Sequence, residues 1–331
     1  MLFDSTTVFN LNAVNWQSVS LLEGAHLTAD RIYLEELVRC ALFFMGRSGI
    51  VDLQETGLIP WKASSNSTHV GVSLKRCYAI TPQGYLVCWE SDRQPGEGVA
   101  GSADSSKAGE TAPIYLCIDA ERIEVKACPP QEIRNECSFL RPHLRLATET
   151  GEGELDALKI GRFKRDIASN KLELDKEFIP ECLRLNSHWL LKRRIGEIQK
   201  QARTCLDSLV NQLQKGEFRL EAMAPPLASA AALVDWTISP YTYLERMLAV
   251  IHANFALQHL IEDRGIKANV YNSLEQALKY IEPNLEADGL DWAMALKLIE
   301  DTFKRLESAF SGRKDGESVG KIAVPPKAPV R

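Results

Sequence analysis

The sequence predicts an α+β protein in which an N-terminal antiparallel β-sandwich is followed by a C-terminal helical bundle. Three observations carry that reading. Up to about residue 180 apolar residues alternate with polar ones in short runs separated by turn signals, whereas from Ser187 onward they recur at helical spacing. No helical crossovers separate the strand-like runs, which favours antiparallel pairing over a doubly wound parallel sheet. At 331 residues the chain is long enough to bury two cores. Residues 1–185 are expected to form the β domain, 186–310 the helical bundle and 311–331 a disordered tail.

Taken in chain order, the first element interrupts the β region. Ile32, Leu37, Ala41 and Phe44 predict a helix over Asp30 to Met45. Val70, Val72 and Leu74 alternate as in a strand, and Pro82-Gln83-Gly84 turns the chain into a second run, Tyr85 to Trp89. Further strands are expected at Ile114 to Ile118, Ile123 to Ala127, Phe139 to Ala147, Leu158 to Phe163 and Lys171 to Leu174. Between Ser91 and Pro113 the chain is Gly, Ser and charge with little to bury, and it reads as a long mobile loop. Its Gly96, Gly98 and Gly101 match G-x-G-x-x-G, but the residues after Gly101 cannot open an amphipathic helix, so no dinucleotide site is expected there.

In the second half Leu191, Ile195, Ile198, Ala202, Cys205 and Leu209 step by fours and threes, a heptad seam on a long packing helix. Pro225-Pro226 ends the connection after it, and Leu227 to Ile238 reads as an Ala-rich helix. Ser239 stands as an N-cap before Pro240 at the first position of the next helix. Leu274 to Ile281 runs up to Pro283, and Leu290 to Phe310 carries one apolar stripe.

The chemistry is bland. The 39 lysines and arginines against 44 aspartates and glutamates leave a net charge of −5, so no nucleic-acid partner is expected. Apolar stretches such as Leu244 to Leu260 are broken by polar residues, so no direct membrane insertion is expected. The first residues lack a basic and an apolar signal region, which places the protein in the cytoplasm. The 8 cysteines contain no C-x-x-C pair and read as reduced, buried thiols, among them Cys88, Cys117 and Cys205. His252 and His259 lie two helical turns apart, too far for one metal, and read as core or interface histidines. The carboxylate groups Glu35-Glu36, Glu149 with Glu152 and Glu154, and Glu262-Asp263 read as solvated surface. So does the basic run Lys192-Arg193-Arg194, with no aromatic residue interleaved in it. No nucleophile elbow or phosphate loop occurs. No catalytic residue, metal or cofactor is expected, and the chain does not read as an enzyme.

Four segments resemble the TssK family of type VI secretion baseplate proteins, which is related to the receptor-binding proteins of tailed phages. They are Asn15-Trp16 with Glu23-Gly24 and the subsequent Asp30 to Glu35; Leu172 to Leu183, reading LELDKEFIPECL; Ile238 to Leu244, reading ISPYTYL; and Val270 to Leu274, reading VYNSL. The resemblance covers about residues 15 to 285 and implies a short, divergent member lacking the C-terminal head. It implies a β-sandwich shoulder and a helical neck. It further implies a homotrimer, baseplate wedge partners of the TssF and TssG type, and a membrane-complex or adaptor partner at the inner face of the bacterial membrane. Under it Leu191, Ile195, Ile198, Ala202 and Leu209 become the trimer interface, and Trp16, Glu23 and Gly24 the partner-binding residues. The competing reading is a phage-type receptor-binding or carbohydrate-binding tail module.

Overall fold

The computed structural model describes residues 24–55, 57–62, 69–91, 99–104, 109–126, 136–145, 154–166, 171–232, 234–261, 264–285 and 290–311. The chain is α+β, and it divides into two compact units. The first takes residues 1–196, 234–245 and 290–294, and the second takes 197–233, 246–289 and 295–331. A single cut at residue 185 therefore misses two returns of the chain to the first unit. One is tied in by the Leu185 N–H, which donates to the Ile238 carbonyl (3.1 Å). The other is held by Trp292, which meets Tyr241 edge to face at 5.1 Å.

The first unit opens with helix α1 (Gly24–Phe44), followed by β1 (Gly49–Asp52), β2 (Leu58–Lys62), β3 (His69–Leu74), β4 (Arg76–Ile80) and β5 (Leu86–Glu90). Then come β6 (Ala100–Asp104), β7 (Thr111–Lys126), β8 (Glu136–Arg145), β9 (Glu154–Arg165) and β10 (Leu172–Leu174). Every strand pair is antiparallel, as expected, but the described strands form three sheets: β1-β4-β5, β2-β3-β6 and β10-β9-β7-β8. The alternation of β3 is read correctly, with Val70, Val72 and Leu74 buried. Its expected hairpin partner is not. The turn at Pro82-Gln83-Gly84 joins β4 to β5, while β3 pairs with β2 and β6. The two strands expected at 114–118 and 123–127 are one long strand, β7, whose register shifts between Ile118 and Arg122.

The loop expected between Ser91 and Pro113 is also corrected. Residues 92–98 and 105–108, which include Gly96 and Gly98, lie outside the described residues. Gly101 lies in β6, a strand with no helix to receive a phosphate. The five residues of β6 pair with β3, and Val99 is buried with its carbonyl accepting from the Leu74 N–H at 2.7 Å. Composition hid this strand because glycine, serine and alanine supply no alternation; its stability comes from the backbone ladder. Deleting residues 99–104 should lower stability by a few kcal/mol at ~1 kcal/mol per lost hydrogen bond. Urea denaturation would show this as a lower midpoint, and an unchanged midpoint would restore the loop reading.

Helix α1 is seated on the β4–β5 turn. Gly84 has φ +85°, and a Cβ there would stand 2.4 Å from the Arg39 carbonyl oxygen, so only glycine fits. Arg39 is buried, donates to Glu36 at 2.7 Å and stacks on Tyr85 at 4.7 Å. The Gln83 N–H donates to Asp156 at 2.6 Å, which ties the same turn to β9. Burial pushes the Asp156 carboxyl above its ordinary range, opposed by hydrogen bonds from Thr81, Gln83 and Ala157. Folding therefore favours the protonated acid, and stability falls as pH rises through its titration. Asp156→Asn keeps an acceptor without the buried charge, so its melting temperature at pH 7 should equal or exceed that of the parent. Asp156→Ala, which leaves the Gln83 N–H unpaired, should melt lower.

The remaining helices are α2 (Trp189–Gln214), α3 (Ala224–Ala231, preceded by a 3-10 turn at Phe218–Met223), α4 (Pro240–Leu257), α5 (Arg264–Asn284) and α6 (Trp292–Ser311). Ser239 caps α4 as read, its Oγ accepting from the Thr242 N–H at 3.1 Å. Pro225 and Pro226 do not end a segment; they occupy the first turn of α3, where a missing N–H costs nothing. Pro283 likewise sits inside the last turn of α5.

Within the second unit, Ile198, Ala202 and Leu209 of α2, Leu274 and Ile281 of α5, and Phe303 and Phe310 of α6 are all buried. Side chains then fix which helices adjoin: Gln212 of α2 donates to the Phe310 carbonyl at 2.5 Å, and Arg203 donates to the Ala231 carbonyl at 3.1 Å. Ser273 of α5 meets Thr302 of α6 at 3.2 Å. Residues 312–331 lie outside the described residues, as does the tail expectation that falls on them.

Candidate interaction surfaces

The heptad seam on α2 is not a free surface. Leu191, Ile195, Ala202, Cys205 and Leu209 are 0% exposed and Ile198 is 1% exposed in a single chain. A seam at this spacing serves any helix that packs along its length, and here the chain's own core consumes it. The trimer interface assigned to Leu191, Ile195, Ile198, Ala202 and Leu209 is therefore corrected: these residues form the interior of one chain.

Of the expected partner-binding residues, Trp16 and Glu23 lie outside the described residues, and Gly24 is the first residue of α1. The stripe that predicted α1 does not point into a core. Leu34, Leu37, Val38, Phe44 and Met45 are all at least 45% exposed, and among the described side chains of this helix the buried one is Arg39.

The histidines and cysteines also move. His252 and His259 are exposed rather than buried: His252 pairs with Glu282, and the Nδ1 of His259 lies 2.9 Å from the Ala256 carbonyl. Cys77, Cys117, Cys182 and Cys205 are buried as expected, but Cys88 is exposed and Cys40 half-buried. Burial pushes the Cys77 thiol up to about 12 and those of Cys182 and Cys205 higher still, so these three stay protonated. Glu35 and Glu36 are bound to Arg31 (3.4 Å) and Arg39 on the same helix. Glu149, Glu152, Glu262 and Asp263 lie outside the described residues. Among the described residues no group of three or more His, Cys, Asp or Glu could hold a metal ion. No described helix is long and apolar enough to cross a membrane.

Two features of the first unit are not legible in the sequence. One is a cavity of about 660 Å³ bordered by Leu58 and Pro60 of β2 and by Leu172 and Leu174 of β10. Among the described residues β2 and β10 are each the edge of their sheet. Gly161 of β9 keeps the wall thin, since a Cβ there would press on Ile114 and Leu58 at 3.1 Å. His188 also lines the cavity. It is 5% exposed, its Nδ1 is buried without a hydrogen-bond partner, and burial lowers its pKa to about 4. The imidazole is neutral at physiological pH.

The other feature is a second cavity of about 480 Å³, which shares Gln54 and Trp189 with the first and is also lined by Lys192, Arg193 and Trp236. The basic run reads in sequence as having no aromatic partners. The structure supplies them from elsewhere: Arg193 lies over Trp189 at 5.1 Å and Lys192 over Trp236 at 5.9 Å. Trp189 precedes the run by one helical turn, and only the return of the chain at 234–245 brings in Trp236. Arg194, the third cation, is paired with Glu177 at 2.5 Å.

Comparison with known proteins shows what this geometry resembles. Residues 119–227 match the family model of bacterial type VI secretion proteins that includes EvfL, ImpJ and VasE. No curated protein sequence matches the chain. Among solved structures, a crystal structure of TssK shares 16% identity with a TM-score of 0.58, over 90% of this chain and 70% of that one. A chain of the TssK-TssF-TssG baseplate subcomplex of the type VI secretion system, determined by cryo-electron microscopy, shares 14% identity with a TM-score of 0.59, over 91% of this chain and 100% of that one. A chain of the type VI secretion baseplate complex shares 15% identity with a TM-score of 0.54, over 90% and 100%. The chain thus has the fold of TssK along nine-tenths of its length, and the segment at its centre, residues 119–227, matches a type VI secretion family model.

Proposed function

We propose that the chain is a non-enzymatic, structural subunit of a contractile injection baseplate, acting in the bacterial cytoplasm at the inner face of the membrane. In this reading it is a homotrimeric adaptor that joins wedge proteins of the TssF and TssG type to a membrane-side component. One observation supports it above others: the chain shares its fold with TssK and with a chain of the TssK-TssF-TssG baseplate subcomplex. The type VI secretion segment points the same way. Trp16, Glu23 and Gly24 remain the proposed wedge contacts, close in sequence to the exposed side of α1.

The proposed trimer does not use the α2 seam, which a single chain already fills. Light scattering should return about three times the 36.9 kDa chain mass. A monomer at micromolar concentration would refute the trimer. In a bacterium that encodes the protein, deleting its gene should abolish assembly of fluorescently tagged contractile sheath, and the wild-type gene should restore it. Normal sheath assembly in the deletion strain would refute the structural role.

A further inference from the structure

The two cavities of the first unit are one groove, because Gln54 and Trp189 line both. Along it the chemistry changes in order. The larger cavity is lined mainly by aliphatic and aromatic side chains, with Glu55, Glu173, Asp175 and Lys176 among them, and Lys192 and Arg193 line the smaller one. The walls of the larger cavity come from two sheet edges. An edge strand leaves main-chain donors and acceptors unpaired, which suits an extended chain better than a compact ligand. Pro60 in β2 removes one donor and blunts that edge against pairing with another copy of the same strand. Among the described residues lining the cavity, His188 alone carries a buried side-chain polar atom without a hydrogen-bond partner, its Nδ1, which a donor from an occupant would satisfy. The two cations already rest on tryptophan faces, so their charge is held at a fixed place rather than swept through solvent.

We propose that this groove binds an extended acidic–apolar peptide segment of a partner protein, whose apolar side chains enter the larger cavity and whose carboxylates meet Lys192 and Arg193. Alternate residues of an extended chain point the same way, so two apolar residues separated by one polar residue reach the cavity together. The carboxylates beyond them meet the cationic end, and charge complementarity fixes the direction of the segment. The proposal stands independently of the baseplate reading: it names what the groove takes, whatever assembly presents it.

The test is a fluorescence anisotropy titration of the full chain. The probe is a fluorescein-labelled ten-residue peptide with leucine and phenylalanine alternating with serine, followed by three glutamates. It should bind saturably in the micromolar range and weaken as salt is raised. Exchanging its glutamates for lysines should abolish binding. The double variant Lys192→Glu, Arg193→Glu changes two residues outside the core, and it should weaken binding by about tenfold or more. Trp189→Ala, checked for an unchanged circular dichroism spectrum, should do the same. No saturation by the glutamate peptide, or equal binding by the parent and the charge-reversed double variant, would overturn the proposal. Equal binding of the lysine peptide, or tighter binding of an oligothymidine probe at the same cations, would overturn it as well. Because sheath assembly in cells is read separately, failure of the peptide and failure of the baseplate role are distinguishable.

Discussion

Ile195→Ala should destabilise the chain by roughly 2–5 kcal/mol, the range for truncating a fully buried large aliphatic residue, without altering its oligomeric mass. Ile195 is 0% exposed and lies between Leu191 and Ile198, which are 0% and 1% exposed, so truncation leaves a cavity inside one chain. Ile195→Asp goes further. It places a charge in that core with no partner, and the expected result is insoluble protein rather than dissociated subunits. Urea denaturation with light scattering on the same sample separates the alternatives. A lowered midpoint at constant mass supports a seam spent within the chain. An unchanged midpoint with a fall in mass would return the seam to an interface between chains.

Acid should weaken the first unit through His188. The ordinary histidine value of 6.5 falls to about 4 in the folded chain because burial opposes the charged imidazolium. The unfolded chain takes up a proton below pH 6.5 that the folded chain refuses until about pH 4, so this stability is fully present above pH 6.5. It is lost progressively as pH falls from 6.5 to about 4. The full difference corresponds to ~3 kcal/mol. Glu55, Glu173, Asp175 and Lys176 border the same cavity, so the comparison is made against His188→Phe. That variant fills the site with a ring of similar size and no proton. The wild type should lose more stability than His188→Phe between pH 7 and pH 4.5, and parallel losses would contradict the role of His188.

Much of the fold was legible because periodicity reports burial. The heptad on α2, the stripe on α6 and the Ser239-Pro240 start of α4 are local patterns, and each element forms where its pattern lies. The same logic failed on α1. Its Leu37 and Phe44 recur at helical spacing yet face outward, since spacing defines a stripe without saying what covers it. It failed on β6, where small residues carry no pattern, and on the partner of β3, which lies beyond the adjacent turn. The groove was invisible for a different reason. Its tryptophans come from residues 189 and 236 and its walls from β2, β9 and β10, so no window of sequence contains it. His188 looked like any lone histidine; only tertiary structure shows that it is buried and that Nδ1 has no partner.

Membership of a baseplate with wedge proteins is measured most directly by co-purification. Co-expressed with TssF- and TssG-type proteins encoded by the same bacterium, the affinity-tagged chain should elute with both in one peak on size exclusion. The peak should persist at moderate salt and contain several copies of the chain per wedge. Elution of the tagged chain by itself, with the wedge proteins folded and soluble in a separate peak, would contradict the account.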